Sequence, residues 1–249
     1  MRLKSYLNAL LALATITSFA AAPAADAQST FHPSFYGSTE LDTRHSQFYL
    51  VGVYVGMGGL GWSPYFNVNG YGLRYRFTSA STGTETLSAV APTLGVAYAG
   101  RTGGVSVGAG YAFVDNENPG APGAEGGGST GITASLGAYH TGGRRRAMRS
   151  QLLANYNFDS EYVWARGRAS VPFGNSTSHP IRLGAELVGQ GGGKDGNTSN
   201  SFQGGPTFEY GWTRQLRTTI AGGWKTVGGS AFANRDNAAY VKLEFSFSP

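Results

Sequence analysis

The final segment of the sequence constrains the fold most, because its side chains alternate between two classes with a period of two. The apolar set is Val241, Leu243, Phe245 and Phe247, and the polar set is Tyr240, Lys242, Glu244 and Ser246. A helix, with 3.6 residues per turn, would mix these sets on one face, whereas a strand places them on opposite faces. The pattern therefore predicts a β-strand with one apolar and one polar surface.

The same alternation recurs along the chain and predicts an all-β fold of about twelve strands, within a range of ten to fourteen. The predicted strands are 34–42, 47–56, 63–78, 85–99, 104–115, 129–140, 147–158, 161–173, 180–190, 201–212, 215–226 and 238–247. A tilted strand needs about 9–11 residues to cross a bilayer. We therefore predict a transmembrane, antiparallel, up-and-down β-barrel.

The composition supports a membrane barrel over a soluble domain. Only 13% of the residues are charged, 13% are aromatic, and 39 are glycine. A soluble domain carries about 25% charged residues. Low charge with many glycines and aromatic residues is typical of a barrel that has one face in lipid and the other in water.

The N-terminus predicts export. Arg2 and Lys4 precede an apolar run over 7–22, and small residues at Ala25 and Ala27 match a signal-peptidase site. The apolar run is short for a spanning helix, which needs about 20 residues, so an N-terminal membrane anchor is the less favoured alternative.

These features divide the chain into a signal peptide over 1–27, cleaved between Ala27 and Gln28, and an outer-membrane barrel domain over 28–249. The expected location is the bacterial outer membrane, with outer-membrane lipid as a partner. Bacterial barrels have short periplasmic turns and longer external loops. Since the long polar segments 116–128 and 191–200 follow odd-numbered strands, we predict that both lie outside the cell.

The charged residues within the strands are the candidate functional residues. Arginine or lysine facing lipid costs about 2–4 kcal/mol at the bilayer midplane, so these side chains are expected to face the lumen. The predicted lumen-facing residues are Arg74, Arg76, Arg149, Arg166, Arg168, Arg182, Glu186, Glu209, Arg217 and Lys225. Their excess of positive charge has two interpretations: an internally braced lumen, or a cationic path for an anionic or hydroxyl-rich solute.

Two finer expectations follow from the assumed strand register. In the third strand, Leu73 is expected to face lipid and Arg74 the lumen. In the hairpin of the eighth and ninth strands, Arg166 is expected opposite Glu186, which leaves Arg168 and Arg182 without an obvious partner.

Signals for catalysis are weak. His45, with Asp42 three residues before it, is the one histidine predicted in an external loop, and a solvated loop explains that pair more simply. We predict no catalytic residue, no cofactor and no metal site, and an outer-membrane hydrolase remains a remote alternative. Nucleic acid is excluded as a partner, because the basic residues are scattered along strands of an exported chain.

Three segments carry a family resemblance: 48–52 (FYLVG), 70–75 (GYGLRY) and 182–186 (RLGAE). Together with Trp62 and the strand around Phe202, they resemble the small proteobacterial outer-membrane barrels described as cellulose-biosynthesis proteins. The resemblance implies a role in exopolysaccharide export or its regulation, with exopolysaccharide-secretion components as partners. It implies no catalytic residue.

The sequence therefore predicts a non-enzymatic outer-membrane barrel that acts as a narrow pore, or as an export accessory, for a polar solute or a cellulose-like exopolysaccharide. The saccharide or anionic character of the solute is an expectation from the lumen charge. The alternative is a structural or adhesive surface barrel that acts through its external loops.

Overall fold

The computed structural model describes residues 31–78, 82–117, 130–141, 148–174, 179–193, 199–228 and 236–249. Twelve strands are present: β1 (Phe31–Asp42), β2 (Gln47–Met57), β3 (Gly61–Thr78), β4 (Thr82–Ala99), β5 (Gly103–Glu117), β6 (Gly131–His140), β7 (Arg149–Asn157), β8 (Tyr162–Phe173), β9 (Ile181–Gly192), β10 (Ser199–Gly211), β11 (Leu216–Gly228) and β12 (Asp236–Phe247). Within these ranges, no helix is long and apolar enough to cross a membrane.

The strands form one closed antiparallel barrel. Each strand pairs with its neighbours in the chain, and β12 returns to pair with β1, so that no strand edge stays open. Closure satisfies the backbone hydrogen bonds within the sheet, which a structure in lipid requires. The predicted fold and strand number are confirmed, and each predicted boundary lies within about three residues of the observed one.

The outer surface of the barrel is an apolar band. It exposes large aliphatic side chains that a soluble protein would bury, including Leu94, Val107, Leu136, Leu152, Ile220 and Leu243. On β12 the apolar positions of the alternating pattern point outward, whereas Lys242 is buried inside. This arrangement suits a strand with one face in hydrocarbon and the other in the lumen.

The facing of β3 differs from the prediction. An uninterrupted register places Leu73 opposite Leu87, which is 2% exposed inside the barrel. Arg74 therefore lies on the outer face with Trp62, which is 67% exposed. The prediction failed because the inner surface is itself apolar at this level, so polarity did not report which way a side chain points. Arg74 lies near the end of β3, where a long side chain can reach the polar interface.

The two ends of the barrel differ in their connections. One end, here called the termini end, holds the start of β1, the end of β12 and the short turns 58–60, 100–102 and 212–215. The connections β6–β7 and β8–β9 lie at the same end, and the other end, here called the loop end, holds the connections that follow the odd-numbered strands. The segments 116–128 and 191–200 connect strands at the loop end, although most of their residues lie outside the described ranges.

Side-chain turns close two hairpins at the loop end. The carboxylate of Asp42 accepts hydrogen bonds from the backbone amides of Arg44 (2.9 Å) and Ser46 (3.0 Å). The amide oxygen of Asn157 accepts from the backbone of Asp159 (3.0 Å) and Ser160 (3.2 Å). Such local bonds explain why Asp and Asn occupy these turn positions.

Candidate functional site in the barrel lumen

Most of the predicted lumen residues lie on the inner face of the barrel. The inward set is Arg149, Arg166, Arg168, Arg182, Glu186, Glu209, Arg217 and Lys225. Arg74 lies on the outer face, and the side chain of Arg76 lies outside the described residues. The inward set occupies β7 to β11 and forms three layers between the termini end and the loop end.

The middle layer, here called the mid-lumen network, consists of Arg166, Arg168, Glu186, Lys242 and Glu244. Arg168 lies opposite Glu186 in the β8–β9 pair, and its Nε donates to Glu186 Oε2 at 3.1 Å. The predicted register, with Arg166 directly opposite Glu186, is wrong, because Arg166 lies opposite Val188; its Nη1 nevertheless lies 3.9 Å from Glu186 Oε2. The centre of the hairpin turn lies one residue later than assumed, which moves every partner by two positions and preserves the facing.

The mid-lumen network crosses the interior from β8 and β9 to β12, with β10 and β11 between them in the sheet. Lys242 contacts the carboxylate of Glu186. Glu244 accepts from Arg166 Nη1 at 2.7 Å and from Arg168 Nη2 at 2.6 Å. Arg168 is therefore held by two carboxylates, which corrects the expectation that it has no obvious partner.

The mid-lumen network is deeply buried and keeps a net charge of +1. The side chain of Glu186 has no solvent-exposed surface, and Lys242 is nearly as inaccessible. Removing charges from water is unfavourable unless each finds a counter-ion and hydrogen bonds. The cross-lumen contacts supply those partners, so the network spans the middle of the lumen.

A second layer, the loop-side cluster, lies nearer the loop end. Lys225 on β11 lies 3.7 Å from Glu40 Oε1 and 3.8 Å from Asp42 Oδ2 on β1. Gln203 on β10 donates to Glu40 Oε2 at 2.8 Å. This layer joins β1 to β11 through opposite charges and to β10 through the hydrogen bond of Gln203.

The third layer, the termini-side arginine cluster, consists of Arg149, Arg182, Glu209 and Arg217. Arg149 Nη1 donates to Glu209 Oε1 at 3.2 Å, and their side chains are 34% and 18% exposed. Arg182 is buried and donates to the hydroxyl of Ser170 at 3.1 Å and to its carbonyl oxygen at 2.9 Å. Arg149 and Glu209 are thus more accessible than the carboxylate at the centre of the mid-lumen network.

Tyrosines on β1 and β3 brace the other side of the lumen. Tyr36 donates to Asn67 Oδ1 at 2.8 Å and also contacts Asn69. The hydroxyls of Tyr65 and Ser135 lie 3.4 Å apart, and the ring of Tyr65 lies over Gly95. The charge pattern of the sequence did not identify these tyrosines as lumen residues, because they carry no charge. Correct alternation from Trp62 would have placed Tyr65 inside.

The candidate catalytic pair, His45 and Asp42, lies at the turn between β1 and β2. The carboxylate of Asp42 accepts from the backbone amides of Arg44 and Ser46, and the backbone amide of His45 donates to the Asp42 carbonyl at 3.0 Å. No hydrogen bond joins the His45 imidazole to Asp42 among the described residues. These contacts give Asp42 a structural role in closing the β1–β2 hairpin.

No family model and no curated relative matches the chain. Among solved structures, an outer-membrane channel from Pseudomonas putida F1 is similar at 9% identity, over 92% of this chain and all of that one, with a TM-score of 0.54. The β-domain of the Bordetella autotransporter BrkA has 10% identity, coverage of 88% and 99%, and a TM-score of 0.49. The KdgM porin, solved with oligogalacturonate, has 10% identity, coverage of 87% and 99%, and a TM-score of 0.43. At such identities, the likeness to the Pseudomonas channel concerns the fold: the chain has the fold of a bacterial outer-membrane β-barrel.

Proposed function

We propose that this chain is a non-enzymatic, integral outer-membrane barrel that forms a narrow passage for a small polar solute, with the mid-lumen network as its constriction. The observation that carries the proposal is the buried ionic network that crosses the lumen between Glu186 and Lys242. Its five charged groups lie where a passing solute would meet them.

Stability alone is a poor explanation for this network. Well-packed apolar side chains of similar volume often match or exceed a buried ion pair in stabilising a fold. Ionisable residues at membrane depth characteristically mark solute or ion paths, and rings of charged side chains select ions in channels. Eight-stranded barrels are filled by side chains, whereas barrels of 16–18 strands enclose channels. A twelve-stranded barrel lies between these sizes, so the inward side chains determine how wide its passage is.

The charge of the layers favours an anionic or hydroxyl-rich solute. The mid-lumen network carries +1, and the termini-side arginine cluster, with three arginines and Glu209, carries +2. Arginine donates paired hydrogen bonds to carboxylates and phosphates. The periplasm is the expected location of the termini end, so the more positive mouth would face that compartment.

The more specific proposal, passage of a cellulose-like exopolysaccharide together with secretion components, has the sequence resemblance as its support. A polymer would have to displace the contacts of Glu186 with Arg168 and Lys242. A small solute requires a smaller displacement of this network, and it is therefore the form of the proposal that we favour.

Conductance across a planar bilayer tests the proposal. The wild-type barrel should conduct weakly and prefer anions in a salt gradient. The double variant Glu186→Gln, Lys242→Met removes one charge of each sign from the constriction and should increase single-channel conductance. The matched control is Glu40→Gln, Lys225→Met, which makes the same change in the loop-side cluster and should alter conductance much less.

The main competing function is a structural or adhesive barrel, which the mutual pairing within the mid-lumen network also accommodates. Absence of conductance in the wild type and in both double variants would favour it, provided that each protein shows the gel mobility of a folded barrel. Equal effects of the two double variants would show that the mid-lumen network is not the constriction.

A further inference from the structure

We propose that the termini-side arginine cluster is a binding site for an oxyanion, the carboxylate or phosphate group of a small solute, at the periplasmic mouth of the barrel. This inference goes beyond the proposed passage and does not depend on conduction, since a closed barrel can still bind a ligand at its mouth.

The cluster is an arc of inward positions on five consecutive strands, β7 to β11. Arg149 lies opposite Ser170, and Arg182 lies opposite Glu209. Arg217 lies opposite Gly211, two residues beyond Glu209 on the same face of β10. Antiparallel pairing of adjacent strands thus brings three arginines from separate parts of the sequence to one level of the lumen.

The arc has three positive charges and one negative charge, so two positive charges remain without a counter-charge within it. The three guanidinium groups lie near enough for their positive charges to repel one another: Arg182 with Arg149 and Arg217, and Arg149 with Arg217. Glu209 is the one carboxylate of the arc. Like charges at close range in a partly dry lumen raise the energy of the empty site, and a bound anion would lower it.

Donor groups are available to a ligand. A guanidinium has five N–H donors, and the ion pair of Arg149 with Glu209 uses Nη1 of Arg149. Among the residues that the structure describes, Arg217 makes no ion pair. Arg182 is buried and oriented by Ser170, so it is a positioning and charge-supplying residue rather than the first point of contact.

Accessibility distinguishes this arc from the deeper charges. The Arg149 side chain is 34% exposed, whereas Glu186 in the mid-lumen network has no exposed surface. The carboxylate of Glu209 accepts a hydrogen bond from Arg149, and the oxyanion of a ligand would accept the same kind of bond. We infer that this internal carboxylate competes with the external anion and that its removal would strengthen binding.

Titration calorimetry on the folded, detergent-solubilised barrel at low ionic strength tests the site, with inorganic phosphate and acetate as separate probes. The wild type should bind phosphate, and acetate binding would extend the site to carboxylates. Arg217→Gln should weaken binding about tenfold, and Glu209→Gln should strengthen it by a similar factor. Arg149→Gln provides a second weakening variant if Arg217→Gln does not fold.

The control is Lys225→Gln, which removes a lumenal positive charge in the loop-side cluster and should leave the affinity nearly unchanged. An equal loss in this control would overturn the site, because it would show that the general field of the lumen binds the anion. Lack of phosphate binding by the wild type, or unchanged affinity in the Arg217 and Glu209 variants, would also overturn it. Binding without conductance would leave this site intact and reject only the proposed passage.

Discussion

The carboxylate of Glu186 on β9 contacts the ammonium group of Lys242 on β12, although 56 residues and two intervening strands separate them. The curvature of the closed sheet brings the two side chains together inside the lumen. Because Glu186 has no exposed surface, this contact replaces hydration that the carboxylate has lost.

Breaking this contact from one side should destabilise the barrel strongly. Glu186→Gln leaves Lys242 and Arg168 with less compensation and should lower the free energy of unfolding by about 3–5 kcal/mol. The matched control Glu209→Gln acts on a more exposed and better hydrated ion pair and should lower it by a clearly smaller amount. Denaturant unfolding in detergent or lipid measures both variants. If both variants lowered the free energy of unfolding by similar amounts, Glu186 would not be part of a buried, mutually dependent set of charges.

A charge on the lipid face should impair assembly far more than one in the lumen. Leu136 is exposed on the outer face of β6 near the middle of the strand, and Leu136→Arg should lower the free energy of unfolding by about 2–4 kcal/mol. The control Asn155→Arg adds the same charge on the inner face of β7, opposite Ser135. The yield of heat-modifiable, folded barrel in membranes is the measurement. Equal yields of the two variants would show that the assignment of faces is wrong.

The close approach of Tyr65 to the wall of the lumen requires glycine at position 95. A Cβ there would lie 2.5 Å from Tyr65 Cε1 and would also meet the carbonyl oxygen of Val107. Gly95→Ala should therefore cost about 1–3 kcal/mol through overpacking. Gly167 has open space at its Cβ position, so Gly167→Ala is the control and should be tolerated. Thermal unfolding midpoints compare the two, and equal midpoints would contradict the packing of Tyr65.

The absence of native cysteine makes the topology directly testable. Ala124→Cys and Asn197→Cys lie in the segments predicted to be external, and Thr102→Cys lies in a turn at the termini end. On intact cells, an impermeant thiol reagent should label the first two variants, whereas Thr102→Cys should react only after the outer membrane is permeabilised. Protection at positions 124 and 197 together with labelling at 102 would reverse the orientation.

Features that depend on neighbouring residues in the sequence were predicted more reliably than features that depend on contacts between distant strands. From Tyr240 to Phe247 of β12, polar and apolar side chains alternate, and both the strand and its facing were predicted correctly. In β3, Leu73 faces an apolar part of the lumen opposite Leu87, so the same reasoning inverted the strand. The hairpin of β8 and β9 shows a third case: the facing of Arg168 was right, but its partner depended on the centre of a turn that residue types did not specify.

The sequence by itself determined the closed-barrel class, the strand number and the inward placement of most charges. These properties follow from a two-residue period and from the high free energy of exposing charge or open backbone to hydrocarbon. The tertiary structure alone decided which charges meet. Register, set by the turns, placed Arg168 opposite Glu186, and closure of the sheet carried Lys242 and Glu244 across the lumen to them. Contacts across a lumen depend on the curvature and shear of the whole barrel, which no local window of residues encodes.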